Sequence, residues 1–208
     1  TVGQPAPGGS VRIAADGEIQ LKGANVFVGY INRSEDTSAA FTEDGWLRTG
    51  DLGSLDDEGR LRITGRKKDI IITAGGKNVS PIPLEQTIES CPIVEHAVVV
   101  GDGRPFIGAL ITLDEESLAQ WLTARKLASD MSPEEIATLP QVHEEIQRYV
   151  DQANETVSRA ESVRKFVVLP DHLTQENGCL TPSLKVVRPK VMQVFAYELD
   201  TELYTPRS

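Results

Sequence analysis

Alternating apolar and polar residues predict short β-strands along residues 1–65. Residues 11–13 and 18–22 alternate on either side of an Asp-Gly pair, which is a strong signal for a β-hairpin. Residues 61–63 alternate again, and residues 34–41 favour one short helix. The pattern therefore predicts a small antiparallel β unit that contains few large apolar residues.

Beyond residue 65 the pattern changes to more apolar elements. A β-branched strand over residues 70–73 leads through a glycine-rich turn to a helix that Pro81 and Pro83 open, since proline is tolerated in a first helical turn. Apolar spacings then predict strands over 96–100, 106–113 and 165–169, three helices between 118 and 157, and a terminal helix over 191–203. The predicted fold class is α+β: the small antiparallel β unit is followed by an α+β domain with a β-hairpin and a short mixed sheet flanked by helices.

The distribution of charge adds more to this picture than the composition, which is ordinary for a globular protein. The net charge of −10 argues against a general nucleic-acid binder. Residues 114–162 carry eleven acidic and four basic residues, so we expect a solvated face there. In contrast, residues 60–77 carry six basic residues and one acidic residue, and residues 178–190 carry three basic residues and no acidic one. Positive charge is therefore concentrated in two segments.

Three further features of the sequence limit the kinds of site that the chain can contain. No apolar run approaches the roughly 20 residues that a membrane helix needs. The two cysteines have neither disulfide nor zinc spacing, and they indicate reduced thiols in a cytosolic protein. The three histidines are scattered, so no metal site is predicted within the chain.

Three stretches carry the candidate chemistry. Residues 45–52 hold Asp51 in a predicted glycine-bracketed turn. Residues 65–79 contain a basic turn that enters a strand and then a glycine-rich turn, and residues 180–185 end in a lysine. An acid, a basic turn and a distant lysine can surround one charged ligand. Each stretch alone would be an ordinary loop, whereas the combination indicates a reaction.

The three stretches resemble, in the same order, motifs of the acyl-CoA synthetase, peptide-synthetase adenylation and luciferase superfamily. The similarity includes Gly17-Glu18-Ile19 and Gly29-Tyr30 and continues to Arg188, so it covers nearly the whole chain. The branch most similar to this sequence is that of bacterial long-chain fatty-acid CoA ligases, and the residues that carry this finer similarity are 71–79, 105–111 and 180–185.

One residue departs from the superfamily pattern. Leu184 stands where glycine commonly precedes the lysine of the last motif. This departure favours the long-chain ligase branch.

The resemblance implies nucleotide contacts for two charged residues. Asp51 would accept hydrogen bonds from both ribose hydroxyls, and Arg66 would contact ribose or phosphate oxygens through its guanidinium fork. The alternative for Asp51 is an ordinary turn aspartate that bonds nearby amides. The alternatives for the arginine are surface ion pairs with Asp56, Asp57 or Asp69.

The resemblance also implies roles for four further residues. Lys185 would be the adenylation lysine, which stabilises negative charge around the α-phosphate of ATP. Lys68 would be the hinge about which one domain rotates against the other. Gly75 and Gly76 would let the pantetheine arm of CoA pass close to the backbone. Solvated loop lysines and plain turn glycines are the corresponding alternatives.

On this resemblance, residues 1–65 are the incomplete C-terminal β subdomain of a large adenylate-forming domain, and residues 66–208 are its mobile lid domain. The whole enzyme would be an ATP-dependent long-chain fatty-acid–CoA ligase. It would use ATP, CoA and Mg²⁺, with the Mg²⁺ ligands in the missing upstream part. We expect the fragment alone to be inactive, and we expect it to partner the N-terminal part of the same enzyme, the fatty acid, ATP and CoA.

Two other functions stay open at this point. The first is a fatty acyl-AMP ligase that loads an acyl carrier protein. The second is a non-catalytic binding module with the lid fold, although such a module would not need Asp51, Arg66 and Lys185. We expect a cytoplasmic location without nucleic-acid binding, and contact with the membrane surface is left open.

Overall fold

The computed structural model describes residues 1–128 and 130–205, and the chain divides into two compact units, Thr1–Ile70 and Ile71–Ser208. The first unit is a meander of antiparallel strands in the order β1-β2-β3-β4. Its elements are β1 (Gly9–Ile13), β2 (Glu18–Gly23), α1 (Ser34–Ala40), β3 (Leu47–Leu55), β4 (Leu61–Arg66) and a 3₁₀ turn (Lys67–Asp69). The predicted hairpin and short helix are therefore confirmed.

The first unit has very little hydrophobic core. Among residues 1–70, all of which the structure describes, Ile19 is the one buried large hydrophobic side chain. Its neighbours Glu18 and Gln20 are also buried, which the alternating pattern of β2 does not predict. Val28 and Ile31, in contrast, are almost fully exposed. Its four strands are joined by continuous antiparallel pairing from β1 to β4.

The prediction of a glycine-bracketed turn around Asp51 is wrong. Asp51 lies within β3, and its Cα pairs with that of Arg66 on β4. β3 has a hydrogen-bonded strand on each side, so its backbone groups are satisfied in an extended conformation despite the flanking glycines. Gly50 keeps a left-handed φ of 71°, and the register shifts between Leu52 and Gly53. The sequence therefore encodes an irregular strand at this point and not a turn.

The second unit is an α+β structure, as predicted. A two-stranded hairpin of β5 and β6 precedes a three-stranded sheet in the order β7-β8-β9, in which β7 and β8 are antiparallel and β8 and β9 are parallel. Its elements are β5 (Ile71–Ile72), β6 (Asn78–Val79), α2 (Pro81–Ile88), β7 (Val94–Val100), β8 (Ile107–Leu113), α3 (Glu115–Ala124), α4 (Pro133–Ala137), α5 (Pro140–Glu155), β9 (Val163–Val168) and α6 (Arg188–Val194).

The sheet of the second unit separates two hydrophobic clusters. Ala97 and Val99 belong to one cluster and Val98 and Val100 to the other, because successive side chains of a strand point to opposite faces. The first cluster includes apolar residues of α2, α3 and α5. The second includes Leu180 and residues of α6, so the segment that leads to Lys185 packs on this second face.

The predicted terminal helix is interrupted. α6 ends at Val194, and a π-helical segment, Glu198–Leu203, follows after a break at Phe195. The apolar residues of this stretch recur every fourth position, a period longer than that of an α-helix, and the wider π turn compensates for the drift. All four of the apolar residues used in the prediction are buried: Val191, Phe195, Leu199 and Leu203.

None of the helices formed by the described residues is long and apolar enough to cross a membrane.

Candidate functional site

Asp51 and Arg66 form an ion pair across neighbouring strands. The Arg66 Nε atom lies 3.0 Å from Oδ1 of Asp51. The side chain of Arg66 is 52% exposed and that of Asp51 is 27% exposed, so both remain accessible to a ligand. The expected alternative partners of this arginine were Asp56, Asp57 and Asp69, but Asp56 pairs with Arg60. The structure therefore brings together the two residues predicted to bind one nucleotide.

The ion pair lines an open concavity of about 510 Å³. Its walls come from the bulged part of β3 and from the end of β4 with the turn that follows; the lining residues are Thr49, Gly50, Asp51, Arg66, Lys67 and Lys68. The left-handed Gly50 leaves open space on the side where a Cβ atom would stand. A wall with three cationic side chains and one carboxylate suits a ligand that has hydroxyl groups and a negative charge.

Glu18 supports this concavity from within the sheet, and sequence reasoning assigned it no role. Its side chain is only 4% exposed, and Oε1 accepts a hydrogen bond of 3.0 Å from the amide of Gly50. Its Oε2 atom lies 3.4 Å from Nζ of Lys67 and 3.8 Å from a guanidinium nitrogen of Arg48. The only available signal was its position in the block that resembles the superfamily, because strand alternation assigns Glu18 to the solvent face.

Lys67 and Lys68 differ in their surroundings. Lys67 Nζ lies 2.6 Å from Oδ2 of Asp16, and this hydrogen bond raises the pKa of the lysine and lowers the pKa of the aspartate. Lys67 is thus held towards β2. Lys68, the predicted hinge residue, is exposed and makes no ion pair with the described residues. Its place in the 3₁₀ turn after β4 leaves its backbone outside the sheet ladders.

Gly75 and Gly76 lie in the turn that joins β5 to β6. Gly76 has a left-handed φ of 75°, and its amide donates to the carbonyl of Thr73 at 2.8 Å. The backbone conformation of the turn therefore favours a glycine at position 76. Gly75 has no left-handed φ, and a Cβ atom there would meet nothing closer than Thr73 Oγ1 at 3.9 Å. The fold of this unit gives no reason for a glycine at position 75.

Lys185 closes a tight turn that begins at Thr181. The Lys185 amide donates to Oγ1 of Thr181 at 3.0 Å, while its carbonyl accepts from the Thr181 amide at 2.9 Å. Leu184, just before it, has a left-handed φ of 58° and is 64% exposed. A glycine would adopt that conformation without strain, which gives a physical reason for the superfamily's commoner residue. Within the described part of the chain, the Lys185 ammonium group has no hydrogen bond or ion pair.

The predicted site residues are therefore divided between the two units. Asp51, Arg66 and Lys68 surround one concavity in the first unit. Gly75, Gly76 and Lys185 belong to the second unit, on two separate turns. Among residues 1–128 and 130–205, no group of three or more His, Cys, Asp or Glu side chains is arranged to hold a metal ion.

Known proteins match this chain along nearly its whole length. The long-chain-fatty-acid–CoA ligase FadD15 of Mycobacterium tuberculosis is 50% identical over 200 residues, which are 96% of this chain and 33% of that protein. The adenylation domain of a carboxylate reductase from Mycobacterium chelonae covers 90% of the chain with a TM-score of 0.69 and 26% identity, and the match spans 28% of that structure.

A second solved structure has a similar fold and was determined with a nucleotide. O-succinylbenzoate coenzyme A synthetase from Bacillus subtilis, in complex with AMP, covers 89% of this chain with a TM-score of 0.63 and 29% identity, across 34% of that structure. This chain thus spans about a third of the length of the relatives it matches. Its residues 68–207 match the family model described as the AMP-binding enzyme C-terminal domain. On that match, which includes the Lys185 turn and both turn glycines, the chain belongs to the family of AMP-binding enzyme C-terminal domains.

Proposed function

We propose that this chain is the C-terminal third of a long-chain fatty-acid–CoA ligase that forms AMP. The observation that carries the proposal is its 50% identity to the M. tuberculosis ligase over 96% of its length. The arrangement of Asp51 and Arg66 around one concavity agrees with this chemistry, as does a Lys185 ammonium group without a partner among the described residues. The N-terminal part of the same enzyme would supply the fatty-acid site.

In the first step a carboxylate oxygen of the fatty acid attacks the α-phosphorus of ATP. A new P–O bond forms, the bond to the β-phosphate oxygen breaks, and pyrophosphate leaves with the electron pair. Negative charge is concentrated on three groups at once, and a positioned ammonium group stabilises it. We assign this role to Lys185 on the resemblance of its motif, and its charge is available because no described residue pairs with it.

Asp51 and Arg66 would hold the nucleotide through its ribose. The Asp51 carboxylate has lone pairs left for the two ribose hydroxyls while Oδ1 is bonded to the arginine. The guanidinium group of Arg66 retains donors for a ribose or phosphate oxygen. Glu18 would act indirectly, since it fixes the Gly50 amide and so the bulged strand that carries Asp51.

In the second step the thiol of CoA attacks the acyl-AMP carbonyl. A thioester bond forms, the bond between the acyl carbon and the phosphate oxygen breaks, AMP leaves, and the thiol proton is released to solvent. The second unit would rotate about Lys68 between the two steps. The β5–β6 turn would then border the CoA arm. Gly75 exposes the backbone there, although the fold of this unit does not need a glycine at that position. Mg²⁺ would be bound by residues outside this chain.

The test uses the full-length enzyme with palmitate, ATP and Mg²⁺, with and without CoA. We expect AMP release that depends strongly on CoA, and no ATP–pyrophosphate exchange by the 208-residue chain alone. Acyl-AMP that accumulates regardless of CoA would instead indicate an enzyme that loads a carrier protein. Absence of any fatty acid-dependent turnover would favour a non-catalytic module and refute the proposal.

A further inference from the structure

A pair of side chains caps part of one edge of the three-stranded sheet. β7 is one of its two edge strands, and both backbone groups of Val99 in β7 are bonded by side chains in place of another strand. The Val99 amide donates to Oε1 of Glu85 at 2.8 Å, and the Val99 carbonyl accepts from Nη1 of Arg188 at 2.5 Å. Glu85 comes from α2, and Arg188 is the first residue of α6. Two helices far apart in sequence are thus fastened to one residue.

The two side chains also bond each other. Nη2 of Arg188 lies 2.7 Å from Oε1 of Glu85, so carboxylate, guanidinium and the Val99 peptide groups form a closed ring of hydrogen bonds. The side chains are only 22% and 13% exposed. Burial raises the pKa of Glu85, and the charge of Arg188 opposes that shift. Each charge is therefore the compensation for the other, and removal of one would leave the other largely buried and unpaired.

This ring lies three residues from Lys185 along a chain with little freedom. The turn from Thr181 to Lys185 is closed by three hydrogen bonds, and Leu180 bridges to Val186 directly outside it. The Val187 amide then donates to the Cys179 carbonyl at 2.8 Å. The next residue is Arg188, whose side chain is bonded to the sheet. Besides these hydrogen bonds and the burial of Leu180, the segment that carries Lys185 is bound to β7 through the side chain of Arg188.

We infer that the Glu85–Arg188 pair is a positioning device for Lys185, and that it serves the adenylation step but not thioester formation. The inference rests on the proposed function for its catalytic consequence. Neither residue need touch the nucleotide, because both are engaged with Val99 and each other. A misplacement of about 1 Å at a reacting group can cost on the order of 100-fold in rate.

The catalytic test separates the two half-reactions in the full-length enzyme. Arg188→Lys keeps the positive charge but loses the fork that reaches Glu85 and Val99 together. We expect acyl-AMP formation to slow by about tenfold to 100-fold with little change in the KM for ATP. Conversion of supplied acyl-AMP and CoA to the thioester should stay within about twofold of wild type. Glu85→Gln, which keeps the acceptor for the Val99 amide, should show a smaller loss of the same kind.

Arg125→Lys is the control for a general effect of ion pairs in the same unit. Arg125, the residue that follows α3, pairs at 2.9 Å with Glu145 of α5, whose carboxylate is 10% exposed and also pairs with Arg148. This control should leave both half-reactions unchanged. Equal slowing of both half-reactions in Arg188→Lys, or equal loss in the control, would mean that ion pairs stabilise the unit generally, and the inference would be wrong.

Hydrogen exchange on the 208-residue chain tests the geometry without any activity. In Arg188→Lys we expect the amides of Leu184 and Lys185 to exchange about tenfold faster, while the amide of Leu110 in β8 keeps its protection and shows that the fold is intact. Unchanged exchange in the turn would overturn the inference even if the enzyme proves to be a ligase. Faster exchange in an enzyme without ligase activity would sustain the positioning geometry and refute the proposed function alone.

Discussion

Arg66 and Lys185 are the two cations assigned to the nucleotide, and their surroundings are opposite. Arg66 is paired with Asp51 at 3.0 Å, whereas the ammonium group of Lys185 has no partner within the described residues. The first is a standing ion pair on a sheet with little core, and a ligand joins it by adding hydrogen bonds. The second is a free charge at the end of a closed turn fastened to a large core. The difference is consistent with the proposed roles, which are recognition of the nucleotide by Arg66 and charge stabilisation by Lys185.

Arg66→Ala is the substitution that tests most strongly whether Arg66 recognises the nucleotide. Loss of its hydrogen bonds should raise the KM for ATP by about 10- to 100-fold, since a hydrogen bond to a charged group contributes about 1.5–3 kcal/mol. Stability should change by less than about 1 kcal/mol, because half-exposed ion pairs contribute little. Steady-state kinetics and urea denaturation check both statements. An unchanged KM for ATP together with a large loss of stability would make Arg66 a structural residue.

A smaller effect should separate the two turn glycines of the second unit. Gly76→Ala should lower the free energy of unfolding by about 1 kcal/mol, because alanine is strained at its left-handed φ. Gly75→Ala should not lower stability, since its Cβ would meet only Thr73 Oγ1, at an ordinary contact distance of 3.9 Å. If CoA passes this turn, Gly75→Ala should still raise the KM for CoA, and urea denaturation with CoA titration measures both effects. An unchanged KM for CoA in Gly75→Ala would leave that glycine without a functional role.

The smallest effect is expected at Leu184. Leu184→Gly should raise the free energy of unfolding by up to about 1 kcal/mol, because glycine removes the left-handed strain and the exposed side chain contributes little burial. Leu184→Ala keeps a Cβ atom and should leave the melting temperature within about 2 °C of that of the parent. Equal stabilisation by both substitutions would show that relief of strain is not the cause.

The sequence pattern correctly predicted the strands and helices whose position depends on neighbouring residues in the chain. The Asp-Gly hairpin of β1 and β2, the proline-led helix α2 and the strands β7 and β8 lie where the sequence places them. The turn predicted at Asp51 failed because strands on both sides impose an extended backbone that two glycines alone do not indicate.

Contacts between residues that are distant in sequence could not be predicted from local sequence patterns. Glu85 and Arg188 are 103 positions apart, and each alone is an ordinary surface residue until the edge of β7 brings them together. Glu18 was missed for a related reason, since strand alternation assigns it to a solvated face, whereas in the structure it is buried and bonded to Gly50 and Lys67. The residues of the candidate site could be predicted from motif resemblance, whereas the residues that hold them in place could be identified only from the fold.

The central claim is that Lys185 serves adenylation through an ammonium group that no described residue neutralises. The most direct measurement is single-turnover kinetics of Lys185→Ala in the full-length enzyme, with Lys190→Ala as a control that removes an exposed charge from the same segment. We predict that acyl-AMP formation falls by about 100- to 1,000-fold, the usual loss for one preorganised electrostatic contact, while acyl-AMP and CoA still react at the wild-type rate. Unchanged acyl-AMP formation in Lys185→Ala, or an equal loss in Lys190→Ala, would contradict the claim.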